Sequence, residues 1–232
     1  MNLLRSYFQD FVGLFFPELC AACGRNLFKN EDLICTECIY HLPVTNHQLD
    51  ADNQVARQLW GRIPFIHAGA FTYFRKGNRV QRLMYQLKYN NRPKVGTRLG
   101  KLYGAELKRA GGWSMPDAIL PVPLHPAKRK KRGYNQSEYI AAGLSEALGI
   151  PVMSGQLCRA ENTATQTRKG RWARYENLKA AFVVRDAGPL EGKHLLLVDD
   201  VITTGSTLEA CSVELLKLKN VRISIAALAF AG

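Results

Sequence analysis

Residues 194–207 read His194-Leu-Leu-Leu-Val-Asp-Asp-Val-Ile-Thr-Thr-Gly-Ser-Thr207, and no other segment of the chain narrows its folding so far. Leu195 to Val198 form a short apolar β run, and beyond Gly205 the residues Leu208, Cys211, Leu215 and Leu216 recur at helical spacing. The segment therefore predicts a buried strand, two carboxylates, and a hydroxyl loop that opens a helix. The first N–H groups of a helix lack backbone partners, and the helix dipole favours an anion there. Thr203, Thr204, Ser206 and Thr207 add hydroxyl donors, and Gly205 lets the backbone approach a ligand without a Cβ in the way. A phosphate suits that cradle. Asp199 and Asp200 would repel it, but carboxylates accept from vicinal ribose hydroxyls and can hold a hydrated Mg²⁺. The implied ligand is a ribose 5-phosphate derivative; the plain alternative is an Asp N-cap ahead of an ordinary helix.

A chain of 232 residues has room for one substantial α/β domain and a small appendage, which we divide at residues 1–60 and 61–232. Its 47% hydrophobic and 22% charged residues are ordinary for a soluble globular protein. No apolar run reaches the roughly 18 residues of a membrane span. The pattern Leu3, Leu4, Phe8, Phe11, Val12, Phe15, Phe16 is interrupted by Gln9 and Asp10, and no small-residue cleavage site follows, so it predicts an amphipathic helix on its own domain rather than a secretory signal. An interfacial membrane helix is the competing reading, weakened by the lack of a basic rim.

Charge is unevenly spread. The net charge is +13, yet sixteen Lys or Arg lie between Arg75 and Arg132 against only Glu106 and Asp117. One middle segment carries the whole excess. Such a block attracts polyanions by releasing their counterions, which makes single-stranded nucleic acid a candidate partner with Lys128, Arg129, Lys130, Lys131 and Arg132 as contacts. It would also attract pyrophosphate, or stand as a solvated face without a partner. Val80, Leu83, Met84 and Leu87, then Leu99, Leu102, Tyr103 and Leu107, keep helical spacing and leave Arg79, Arg82, Arg98 and Lys101 outward. Of the interleaved aromatics Tyr73, Phe74, Tyr85, Tyr89 and Tyr103, much is expected in the core.

Cys20-Ala-Ala-Cys23 and Cys35-Thr-Glu-Cys38 are two C-x-x-C knuckles separated by eleven residues. Four thiolates at that spacing can close a tetrahedron around structural zinc, with residues 24–34 as a turn or hairpin. A redox dithiol is the competitor, although redox proteins carry one such pair beside a βαβ unit. His41 and His47 find no vacancy in a four-cysteine set. Cys158, near the end of a strand expected at 151–157, and Cys211, on the helix after the loop, are left as unpaired thiols, and the usage suits the reducing cytoplasm.

Asp117-Ala-Ile-Leu-Pro-Val-Pro-Leu-His125 reads as a strand entering a proline-constrained loop. The run Lys128-Arg-Lys-Lys-Arg132, the turn Gly133-Tyr-Asn-Gln-Ser137 and a helix from about Gln136 to Leu148 follow, with Tyr139, Ile140, Leu144 and Leu148 inward. Residues 194–207 resemble the phosphoribosyl-pyrophosphate motif of type I phosphoribosyltransferases. Together with the four cysteines, Pro121-Val-Pro-Leu-His-Pro, Arg132-Gly-Tyr-Asn-Gln-Ser137, and Thr163-Ala-Thr-Gln-Thr-Arg168 continuing to Arg174, Asn177 and Phe182, the chain resembles the ComF/GntX group of competence-related proteins nearly end to end.

The resemblance implies a parallel central sheet flanked by helices, with an N-terminal zinc ribbon. It implies phosphoribosyl pyrophosphate as ligand, held with Mg²⁺ by Asp199, Asp200 and the loop Thr203, Thr204, Gly205, Ser206 and Thr207. The pyrophosphate would meet backbone near Leu124 and His125, with Arg132 close by. Asp199 and Asp200 are the candidate catalytic pair, acting by charge placement without a general base. Residues 159–174 suit either a loop closing over the pyrophosphate or a plain connector, and Trp172 and Tyr175 either stack on a base or pack. The family further implies a cytoplasmic role in natural transformation, with single-stranded DNA and a competence helicase as partners. A phosphoribosyltransferase and a non-catalytic DNA-binding protein that uses the site as a sensor or a DNA-end grip both remain open.

Overall fold

The computed structural model describes residues 17–159 and 182–232. The expected N-terminal helix lies outside them, as do Thr163, Trp172, Tyr175 and the rest of the linking segment up to residue 181.

Among the described residues, four strands form the central sheet: β1 (Ala68–Tyr73), β2 (Ala118–Pro121), β5 (His194–Ile202) and β6 (Arg222–Phe230). They lie in the order β1-β6-β5-β2, and every pairing is parallel. β3 (Leu157–Arg159) and β4 (Phe182–Val184) form a separate antiparallel pair. The helices are α1 (Thr36–Tyr40), α2 (Gln54–Leu59), α3 (Arg79–Tyr89), α4 (Lys94–Ala110), α5 (Pro126–Arg132), α6 (Gln136–Leu148) and α7 (Ser206–Leu215). This is an α/β fold with a parallel central sheet and flanking helices, as the motif order predicts.

A parallel sheet buries both faces, so its strands are apolar throughout, and alternate residues serve different layers. Leu196, Val198, Ala226 and Leu228 face one layer, packed with Leu83 and Leu87 of α3, Leu99 and Tyr103 of α4, and Ile140 and Leu144 of α6. Leu195, Leu197, Ile225 and Ala227 face the other, with Leu59 of α2 and Leu208, Cys211 and Leu215 of α7. The chain thus leaves β2 towards the first layer, into α6, and leaves β5 towards the second, into α7. In such sheets a crevice opens beyond the strand C-termini where connections diverge. Here it lies between β2 and β5.

The first layer closes through glycine. A Cβ on Gly143 of α6 would lie 2.1 Å from the Thr97 carbonyl oxygen, and one on Gly100 of α4 would lie 2.3 Å from that of Ile140. The two helix backbones are therefore in contact. On the outer edge of β1, residues 43–45 add an extended stretch: the Tyr73 N–H donates to the Pro43 carbonyl at 2.8 Å and the Thr45 N–H to the Phe71 carbonyl at 3.0 Å.

Some boundaries differ from the sequence reading. The apolar run ends at Val198, but β5 continues through both aspartates to Ile202, because its ladder with β6 continues to Ile202 opposite Phe230. The strand expected at 151–157 is reduced to one bridge, Val152 with Ile119, and Cys158 sits inside β3 instead of following it. Among the described residues, no helix is long and apolar enough to cross a membrane.

Candidate phosphoribosyl site and metal centre

Adjacent strand residues point to opposite faces, so the two carboxylates at the end of β5 take different partners. Asp199 Oδ1 accepts the Ser137 hydroxyl at 3.2 Å and the Asp200 N–H at 2.8 Å. Asp200 Oδ1 accepts from the Lys88 ammonium at 3.0 Å. Burial first, and then the neighbouring Asp200 charge, push the Asp199 carboxyl up to about 7; its hydrogen bonds and Lys88 pull the other way without prevailing.

Gly205 is the N-cap of α7 at φ +72°, a left-handed geometry that glycine adopts freely. It supplies no capping side chain, and Thr204 Oγ1 takes the Ser206 N–H at a long 3.5 Å. The helix start is therefore open to an anion. The loop rests on α2 and the turn after it. Gln58 donates to the Thr203 carbonyl, and Arg62 donates to the Thr204 carbonyl at 2.7 Å while its Nη2 meets Glu209 at 2.5 Å. A Cβ on Gly205 would come within 2.9 Å of Leu59. Close packing from below, beside the open anion site above, accounts for a glycine at this position.

The second wall comes from the turn after β2. His125 caps α5, its Nδ1 taking the Ala127 N–H at 3.2 Å, and Gly133 ends the helix at φ +84°. The Tyr134 hydroxyl then donates to the Leu87 carbonyl at 2.5 Å, and Asn135 ties the Val122 carbonyl to the Ser137 N–H. The turn Gly133-Tyr-Asn-Gln-Ser137 thus joins α3, β2 and α6 around the crevice.

A cavity of about 270 Å³ fills the crevice, lined among others by Lys88, Leu124, Arg132, Ser137, Asp199, Asp200 and Thr207. It brings together Leu124, Arg132, both aspartates and Thr207 of the expected set. Thr203, Thr204 and Ser206 lie along the adjoining loop, and His125 serves as a cap. Arg132 stacks its guanidinium 5.8 Å from the Tyr89 ring, and its Nη1 is buried without a partner among the described residues. A larger cavity of about 640 Å³ shares Lys88, Tyr89, Lys128 and Arg132 with the first and adds Lys130 and Lys131. Arg129 instead lies 3.6 Å from Glu138.

Lys88, Ser137, Gln58 and Arg62 were not reached by sequence reasoning as site residues. Lys88 left a signal as a basic residue at the end of an amphipathic helix, and Ser137 closes the motif Arg132-Gly-Tyr-Asn-Gln-Ser137. The aromatics divide. Tyr103 is fully buried and stacks on Phe71, whereas Tyr85 and Tyr89 are exposed and pack against each other.

The ligand sulfurs of Cys20, Cys23, Cys35 and Cys38 lie within 4.8 Å of one another, with Cys23 and Cys35 Sγ atoms 3.8 Å apart. Tetrahedral bonds of about 2.3 Å to sulfur require edges of about 3.8 Å, so the cluster fits a metal ion such as zinc. Burial opposes ionisation of Cys23, but hydrogen bonds from Arg25, Cys20 and Cys38 together outweigh it and lower the thiol to about 6. His41 is exposed and His47 is buried against β1, and neither belongs to the cluster.

A strand-ended acid pair over an open helix start, facing a basic crevice, defines a phosphoribosyltransferase-type domain, and residues 119–232 match the phosphoribosyl transferase domain family. The chain is 32% identical to DNA utilization protein YhgH of Escherichia coli over 82% of its length and 80% of that protein's. It is 38% identical to Competence protein F of Haemophilus influenzae over 59% of its length and 61% of that protein's. Among solved structures, glutamine phosphoribosylpyrophosphate amidotransferase from B. subtilis is similar at a TM-score of 0.41, with 22% identity over 61% of this chain and 30% of that one. The chain belongs to the ComF family of phosphoribosyltransferase-domain proteins.

Proposed function

We propose that this protein binds phosphoribosyl pyrophosphate with Mg²⁺ between β2 and β5 and transfers the phosphoribosyl group, in a cytoplasmic role connected with DNA, as the names of its relatives indicate for them. One observation carries the reading: the aspartate pair, the open start of α7 and the unpartnered Arg132 Nη1 surround one cavity. Asp199 and Asp200 would accept from the ribose 2- and 3-hydroxyls, the loop 203–207 would donate to the 5-phosphate, and Arg132 would meet the pyrophosphate. A bound Mg²⁺ would supply charge neutralisation to the departing pyrophosphate. The C1–O bond breaks with its electron pair leaving on pyrophosphate, and a nucleophile bonds to C1 from the other side. The fixed charges of the crevice stabilise the separating charges.

Calorimetric titration of the zinc-loaded protein with phosphoribosyl pyrophosphate and Mg²⁺ tests the site. Binding is expected in the wild type and lost in Asp199→Asn/Asp200→Asn, and unchanged affinity in that variant would refute the assignment. Pyrophosphate release that requires a short single strand or a base would show turnover.

A second reading, single-stranded DNA binding without turnover, is favoured by the exposed cations of α5 around the larger cavity. Neutralising Arg129, Lys130 and Lys131 should then flatten the salt dependence of DNA affinity by about one slope unit per lost phosphate contact. An identical slope would place DNA elsewhere.

A further inference from the structure

Two adjacent carboxylates in a crevice need a cation. Asp199 is served by a hydroxyl and an N–H, and among the described residues the ammonium in contact with the pair is that of Lys88. The Lys88 and Asp200 side chains are 23% and 16% exposed, so water screens this pair poorly. The other cations that line the crevice are placed differently: Arg132 lies over Tyr89 and Arg159 over Phe182, at 5.8 and 5.2 Å, and Lys128 is exposed on α5. Lys88 also lines both cavities.

We propose that Lys88 is a ligand-binding residue that exchanges partners, holding Asp200 in the ligand-free protein and turning to the pyrophosphate oxygens when Mg²⁺ and phosphoribosyl pyrophosphate enter. The exchange depends on that compound being the ligand. A divalent cation at Asp200 and an ammonium on the same carboxylate oxygen repel each other at contact distance, so one of them leaves. Lysine can leave because its charge rides on a flexible four-carbon stem with three rotatable donors. Its base does not move with it: Leu87 is fully buried, and its carbonyl is held by the Tyr134 hydroxyl. The new partner arrives with the metal, since pyrophosphate brings negative charge into the space that Lys88 already borders. Lys88 therefore opposes binding of the metal alone and favours metal and pyrophosphate together, a coupling that linkage makes reciprocal.

The test uses the full zinc-loaded chain, Mn²⁺ read by electron paramagnetic resonance, and inorganic pyrophosphate. In Lys88→Met, affinity for Mn²⁺ alone should rise about tenfold, while pyrophosphate affinity at saturating Mn²⁺ should fall about tenfold, the usual scale for a hydrogen bond to a charged group. Lys88→Gln should shift both in the same opposite senses, and Lys88→Arg should restore pyrophosphate affinity. General damage to the fold would weaken both. Loss of both affinities in Met and Gln variants, or no change in either, overturns the exchange and leaves the ligand standing. Wild-type protein that binds neither Mn²⁺ nor phosphoribosyl pyrophosphate overturns the ligand and the exchange together.

Discussion

Asp199 shows function and stability in opposition at one side chain. Its carboxyl is raised from 3.8 to about 7, chiefly by burial and then by Asp200, so the folded protein holds a proton that the unfolded chain has released. The sign follows from linkage: this group stabilises the fold fully below pH 3.8, and that contribution is lost as pH rises through about 7. Asp199→Asn should therefore be more stable than wild type at pH 8 by at least about 1 kcal/mol, with the gap closing towards pH 4. Denaturant midpoints at the two pH values measure it, and equal destabilisation at both would contradict the reading. The acid pair was legible in the sequence because a strand, two carboxylates and a glycine-hydroxyl loop are contiguous. Its partners were not, since Lys88 and Ser137 lie 112 and 62 positions away and no local spacing joins them.

At the scale of elements, periodicity revealed α3, α4, α6 and α7, and pairing set what periodicity could not. β5 extends past its apolar run because a parallel ladder is held by backbone groups, whatever the side chains are. The α4–α6 contact shows a pattern that was present but unread: Gly96, Gly100 and Gly104 recur every fourth residue along one side of α4, and Gly143 meets that side from α6. Hydrophobic spacing finds the apolar stripe and passes over the glycines that let two backbones touch. Gly143→Ala places a methyl group against the Thr97 carbonyl, which cannot move without disturbing α4. It should destabilise the protein by about 2 kcal/mol or more, beyond the modest helix-propensity gain of alanine. Gly112→Ala, with nothing closer than 3.9 Å, should fall within about 0.5 kcal/mol of wild type. Comparable losses in the two variants would mean that the helix contact is not what the glycine serves.

Across the whole molecule, the cysteine knuckles belong to the same apolar layer as the helices beside the site. Cys20, Cys35 and Cys38 are buried in one cluster with Leu83 of α3, Tyr103 of α4 and Leu144 of α6. Arginines of α3 reinforce the join: Arg82 donates to the Ala22 carbonyl at 3.4 Å, and Arg79 lies 3.8 Å from Glu37. The spacing of the knuckles made a four-cysteine cluster that could hold a metal legible, but it gave no sign of what the cluster packs on. Taken alone, the spacing suggests a ribbon that unfolds by itself when its metal is removed. The shared layer predicts more, because metal-binding free energy at such a site is folding free energy for whatever is built on it. Chelation should speed amide exchange at residues 20–38 and also along α3 and α4, while α7, packed on the opposite face of the sheet, changes far less. Cys38→Ser should reproduce the pattern without chelator. Exchange that quickens only within the knuckles would show that the ribbon and α3 are energetically separate. Exchange that quickens equally on both faces would show that the two layers unfold as one unit.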